Sequence, residues 1–258
     1  MCLIAFAWNV HPRWRLVLVG NRDEFHARPS AGLARWEDAP IIAGRDLRAG
    51  GTWLGVTPAG RCAVVTNVRA PQVVPGTRSR GALARDYLAG TDSADAHAAK
   101  LLDEAATYGA FNLLLFDADS AWLVGNHPRP HRRPLDAGVH ALSNAALDTP
   151  WPKVCALDAH LRAWLAAGGV DPLTLLELLR DEHVAADAEL PDTGIGIERE
   201  RWLAPAFVRG REYGTRASTV VAIAHDGRGL IVEHRFAADG MVDGHTCVEF
   251  AAASADRG

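Results

Sequence analysis

The chain has 258 residues, 48% of them hydrophobic, and a formal net charge of -4. That is enough apolar content to bury a sizeable core in one large domain. No acidic or basic block interrupts it, which argues against a nucleic-acid surface. No run approaches the roughly 18 apolar residues that a membrane span requires.

Two apolar runs open the chain, Met1 to Phe6 and Leu16 to Val19, with the turn signal His11-Pro12 between them. Both are rich in strand formers, and together they predict a β-hairpin. The second run ends in Asn21-Arg22-Asp23-Glu24-Phe25, and a polar connector, Phe25 to Ser30, follows. Short strands are expected at Pro40–Ala43, Gly50–Thr57 and Arg61–Val68. The pattern then turns helical from Gly81 to Leu88, and Asp92-Ser93 is placed to cap a second helix that ends near Gly109. A hairpin is expected from Phe111–Phe116 and Ala121–Gly125. The segment His127–Pro134 reads as a solvated loop, and Gly138–Asn144 as a further strand. Helices follow from Pro152 to about Ala166, and from the cap Asp171-Pro172 to Arg180. An irregular stretch, Pro191–Gly196, leads to three closing strands at Ser218–Ala224, Leu230–Phe236 and Thr246–Phe250.

No repeat or linker divides this order, so residues 1–258 read as a single domain. Many strands are apolar on both faces, as strands covered on both sides are. Two mostly antiparallel sheets face to face, with helices outside, satisfy that pattern. The expected fold is α+β, a four-layer αββα sandwich. The four cysteines, Cys2, Cys62, Cys155 and Cys247, form no CxxC pair and are too dispersed for a zinc site or a disulfide framework. The first residues lack the basic region of a signal peptide. A reduced, cytoplasmic protein is the resulting expectation.

The predicted hairpin places Cys2 opposite or next to Asn21, with Arg22 and Asp23 just beyond. If Met1 is removed, Cys2 carries a thiol and a free α-amine on one carbon. An α-amine titrates at about 7.7–8.0, so near neutral pH it can accept the thiol proton. Arg22 would favour the thiolate, Asp23 would orient the ammonium, and an amide such as Asn67 or Asn144 would receive the oxyanion. The plain alternative is a cysteine buried as a small hydrophobe.

Met1-Cys2-Leu3-Ile4 followed by Asn21-Arg22-Asp23-Glu24-Phe25 resembles the NRDE family, related to transport-and-Golgi-organisation protein 2. Gly50-Gly51-Thr52-Trp53-Leu54-Gly55, Thr66-Asn67, Leu142-Ser143-Asn144 and Tyr213 to Ser218 extend the resemblance over essentially the full length. That family is similar in turn to the N-terminal nucleophile (Ntn) hydrolases, in particular the cysteine enzymes that cleave linear amides. The resemblance implies the four-layer fold and a catalytic set: Cys2 as nucleophile, Asp23 holding its amine, Asn144 and Asn67 as oxyanion donors, and Arg216 as a later arginine. Arg22 departs from the amidase pattern, which has its arginine three residues before the aspartate, at Gly20 here. We therefore expect Arg22 on the opposite strand face. Asn21 and Trp53 are expected to contact substrate, and Glu24 has no counterpart.

The function implied is hydrolysis of a carbon–nitrogen amide bond in a small acylated molecule, without a metal or cofactor. The alternative, also implied by the resemblance, is non-catalytic binding or trafficking of haem, or of an acyl-CoA or lipid, in the same pocket. His225, His234 and His245 near the closing strands match no metal-site spacing and read as structural.

Overall fold

The opening hairpin sets the layer plan. In the computed structural model, which describes residues 2–71 and 74–251, β1 (Cys2–Trp8) and β2 (Trp14–Phe25) pair antiparallel. His11 shapes the turn, its Nδ1 accepting from the backbone N–H groups of Arg13 and Trp14, each at 3.1 Å. Side chains alternate across a strand, so β1 and β2 feed two different cores. Ile4, Phe6, Trp8, Leu16 and Leu18 pack toward the second sheet. Leu3, Ala5, Ala7, Val17 and Val19 pack toward helices.

The first sheet has the order β10-β1-β2-β11-β12-β13, with β10 at Gly138–Leu142, β11 at Tyr213–Ala224, β12 at Gly229–Phe236 and β13 at Val242–Phe250. The second runs in chain order from β3 (Ser30–Arg35) through β4 (Ile42–Asp46), β5 (Leu54–Val56), β6 (Cys62–Asn67), β7 (Phe111–Phe116) and β8 (Ala121–Gly125) to β9 (His131–Pro134). Leu54, Val56, Val64, Leu114 and Phe116 meet the first sheet in the central core. Helices α1 (Gly81–Ala89) and α2 (Ala94–Glu104) cover the second sheet. Helix α3 (Pro152–Ala166) and the segment Pro172–Arg180 cover the first. The short α4 (Ile197–Trp202) lies beyond them in the chain. The expected four-layer αββα sandwich is the observed one.

Several boundaries differ from expectation. Pro172–Arg180 is 3₁₀ rather than α, although Asp171 caps it as predicted, accepting from the Leu173 N–H at 2.9 Å. His131–Pro134 is not loop but the edge strand β9, paired with β8 from Gly125↔His131 to Trp122↔Pro134. An edge strand needs a ladder on one side only, so it tolerates a proline and charged residues. The residues after Ser30, left without an element above, form the other edge, β3. Among the described residues, no helix is long and apolar enough to cross a membrane.

Candidate active site

Cys2 heads β1, a central strand, and its even-numbered position directs it to the inter-sheet side. There it borders a cavity of about 870 Å³. The thiol is buried, and burial pushes its pKa up to about 11; Asp23 and Glu24 add to the rise, while the positive amino terminus and Arg22 oppose it. On one flank, Ser143, just past β10, donates from Oγ to the Cys2 carbonyl at 3.0 Å. On the other flank Arg22 is the direct cross-strand partner of Cys2.

That placement corrects the expectation for Arg22. A shift from position 20 to position 22 is two residues, a full strand period, so the side chain keeps its face. Arg22 therefore lines the same cavity as Cys2. Nor does position 20 have room for an arginine: a β-carbon at Gly20 would stand 2.7 Å from the Leu3 carbonyl oxygen. Glu24 also faces the cavity, 3.5 Å from the Arg22 guanidinium and 3.7 Å from that of Arg28, which in turn holds Asp46 at 2.6 Å.

Asp23 lies between Arg22 and Glu24 in the chain, and its carboxylate turns toward the helical layer. Its Oδ1 accepts from Thr215 Oγ1 at 2.7 Å, and its carbonyl accepts from the Tyr213 hydroxyl at 3.1 Å. Burial raises the Tyr213 pKa, and the charge of Asp23 raises it further. Behind Asp23, Lys153 of α3 is buried and donates to the carbonyls of Leu203 (2.8 Å) and Pro205 (3.5 Å). Burial lowers its pKa to about 8 against the opposing pull of Asp23.

Asn67, at the end of β6, and Asn144 meet across the two sheets. Asn144 Nδ2 donates to Asn67 Oδ1 at 2.9 Å and to the Asn67 carbonyl at 3.0 Å. Asn144 is fully buried and does not line the cavity, whereas Asn67 does. With its Oδ1 held, the Asn67 NH₂ group is left without a hydrogen bond among the described residues. The backbone of Asn144 is held as well, its carbonyl accepting from the Arg69 N–H at 2.7 Å. Arg69 forms a buried ion pair with Glu200 at 2.8 Å and lies over the Trp151 ring.

Arg216 is the extra residue of a β-bulge: Thr215 pairs with Asp23 and Ala217 with Arg22, leaving it between them. A bulge re-aims a side chain at a strand end. Here the guanidinium borders the cavity and donates to the carbonyls of Phe25, His26 and Arg28 and to Ser30 Oγ. Trp53 also borders the cavity. Asn21 does not. It is fully buried on the helical side, donating to the carbonyls of Leu179 and Ala206 at 2.7 Å each and accepting from Ser218 Oγ at 2.6 Å. Its odd-numbered position sets that side, so it ties strand to helical layer and, against the expectation of a substrate contact, does not border the cavity.

The sequence reading missed Thr215, Ser143, Lys153, Glu200 and the cavity arginines Arg28 and Arg80. Thr215 and Ser143 lay inside quoted motifs; the others carry no local signal. Among the described residues no cluster of three or more histidines, cysteines or acids is arranged to hold a metal. His234 and His245 face one another across β12 and β13, while His225 bonds the His11 carbonyl elsewhere.

A cysteine at the head of a central strand, opening on a cavity between two sheets that are flanked by helices, defines the Ntn-hydrolase class of fold. Solved structures agree. A Caenorhabditis elegans N-acylethanolamine-hydrolyzing acid amidase ortholog superposes with a TM-score of 0.52 at 11% identity, over 85% of this chain and 92% of its own. A mutant conjugated bile acid hydrolase from Clostridium perfringens gives 0.53 at 7% identity, over 96% and 92%. Likeness at this identity is one of fold. The chain belongs to the Transport and Golgi organisation 2 family, whose pattern matches residues 1–238. The Homo sapiens Transport and Golgi organization protein 2 homolog is 33% identical, over 90% of this chain and 92% of its own length. The Drosophila melanogaster Transport and Golgi organization protein 2 is 28% identical, over 90% and 91%.

Proposed function

We propose that the chain is an N-terminal cysteine hydrolase that cleaves a carbon–nitrogen amide bond in a small acylated molecule. The observation that carries this reading is the position of Cys2: it borders the cavity directly opposite Arg22, in an Ntn fold. Removal of Met1 frees the Cys2 α-amine, which takes the thiol proton. The thiolate attacks the substrate carbonyl, and the oxyanion that forms accepts from the Asn67 amide. Collapse of this intermediate breaks the C–N bond, and the Cys2 ammonium protonates the departing amine. Water then attacks the thioester, the amine again acting as base, and releases the carboxylic acid. Asp23 holds the ammonium form and Arg22 favours the thiolate. Asn144 is a positioning residue, because both its donor contacts go to Asn67.

The buried thiol, with its pKa pushed up to about 11, favours a second reading while Met1 is attached: a carrier that binds a ligand in the same cavity without chemistry. A haem there would find Cys2 as the sole sulfur or imidazole ligand among the described wall residues, with arginines available for its carboxylates.

Intact mass of the purified protein, followed by incubation with an activated amide or a β-lactam, separates the two. The hydrolase reading expects loss of Met1 and a stoichiometric acyl adduct on Cys2 that is absent in Cys2→Ala. Retained Met1 with no adduct overturns it. A shifted haem absorption band in that same protein supports the carrier.

A further inference from the structure

The wall of the cavity is strongly cationic: eight arginines line it against five acidic residues, one of which, Asp23, turns its carboxylate toward the helical layer. Five of the eight are matched. Arg22 meets Glu24, Arg28 meets Asp46, Arg45 meets Asp38, Arg78 meets Asp86 and Glu104, and Arg235 meets Glu233. Three have no carboxylate within ion-pair distance among the described residues: Arg48, which is exposed, Arg216, and Arg80, which is half-buried. Arg216 spends its donors on backbone carbonyls and Ser30 rather than on a carboxylate. Arg80 has neither an ion pair nor a side-chain hydrogen bond among the described residues.

Arg80 is also placed deliberately. It immediately precedes α1, whose first turn is pressed onto Gly51. A β-carbon at Gly51 would lie 2.4 Å from the Gly81 carbonyl, and the Thr52 N–H donates to that carbonyl at 3.1 Å. The Gly50-Gly51-Thr52-Trp53 motif thus fixes where Arg80 stands. Arg80 lines the same cavity as Cys2 and Glu24, so it shares that space with the nucleophile. A guanidinium held partly out of water with no carboxylate in ion-pair contact among the described residues is an anion receptor, and its planar fork suits carboxylate or phosphate.

We propose that this cavity takes a ligand bearing an anionic group, carboxylate or phosphate, bound by Arg80 within the field of Arg216. The inference rests on the Cys2 cavity being the functional site, and it deepens the hydrolase reading by naming an acidic substrate class. It applies equally to a carrier, because anion binding needs no turnover.

The test is equilibrium binding to the full chain, followed by thermal shift and calorimetry. Inorganic phosphate and glutarate are the two probes, each against sodium chloride at matched ionic strength. Whichever anion gives the tighter saturable response identifies the source of the charge. Arg80→Gln is expected to weaken binding by about tenfold or more, the loss of one charge-assisted contact. No saturable response to either anion in the wild type, or unchanged affinity in Arg80→Gln, overturns the proposal.

A second measurement needs no variant: alkylation of Cys2 by iodoacetate relative to iodoacetamide, with the exposed Cys155 as internal reference. The anionic reagent is favoured at Cys2 over Cys155, and salt reduces the preference. Equal ratios at the two cysteines overturn it. Neither assay requires hydrolysis, so a failed acylation of Cys2 by amides leaves the anion site standing, and the converse also holds.

Discussion

Lys153→Met tests the buried electrostatics behind the site. Lys153 is 8% exposed, its ammonium meets only backbone carbonyls at close range among the described residues, and its pKa falls from 10.5 to about 8 through burial. A folded-state pKa below the unfolded value means that the unfolded chain binds the extra proton. The charged lysine therefore destabilises the fold below pH 8, and the penalty lifts as pH rises through 8 toward 10.5. At 1.36 kcal/mol per pKa unit, this shift corresponds to roughly 3 kcal/mol. Other groups titrate in the same window, Cys2 among them, so the informative quantity is the difference between wild type and Lys153→Met. The assay is urea unfolding of both proteins at pH 7 and pH 10.5. Wild type should gain roughly 3 kcal/mol on the variant between the two pH values. The absolute offset at pH 7 is not diagnostic, since methionine also leaves the Leu203 and Pro205 carbonyls without their donor. An offset that stays constant across the range would refute the reasoning, because Lys153 would then titrate as a hydrated side chain.

Four further outcomes follow from the same geometry. Gly20→Ala forces a β-carbon against the Leu3 carbonyl in the central strand pair; it should cost about 1–3 kcal/mol, read as a lower urea midpoint at unchanged m, and an unmoved midpoint would count against the packing described. Glu200→Gln leaves the Arg69 guanidinium buried without its carboxylate, with an expected loss of about 3–5 kcal/mol in the same assay. Under the hydrolase reading, Asn67→Ala should slow acylation of Cys2 by about 10²–10³-fold, as removal of an oxyanion donor does. Asn144→Ala should chiefly destabilise the fold, measured as a drop in melting temperature; if it slows acylation more than Asn67→Ala, the two roles are reversed.

Local pattern was sufficient for the layers. Continuous apolar runs in β1 and β2 demand cover on both faces, and a run of such strands separated by helical segments leaves the αββα sandwich as the arrangement that buries them all. The hairpin at His11-Pro12 brought Cys2 beside the Asn21-Arg22-Asp23 cluster from sequence alone, because strand pairing is local; the observed register pairs it with Arg22, one residue beyond Asn21. The face of Arg22 was also legible, once the two-residue step from Gly20 is counted as a whole strand period.

Tertiary structure decided which face is open. Asn21 and Arg22 are neighbours of similar polarity, yet one is sealed under Leu179 and Ala206 and the other lines the cavity. The difference arises because elements more than 150 residues away cover one side of the sheet and leave the other open at its end. The division of labour between Asn67 and Asn144, the bulge that turns Arg216, and the unmatched charge of Arg80 have the same origin. Each depends on contacts between segments far apart in the chain, whose distances no local spacing encodes, whereas strand period and turn chemistry act between near neighbours and are written directly in the sequence.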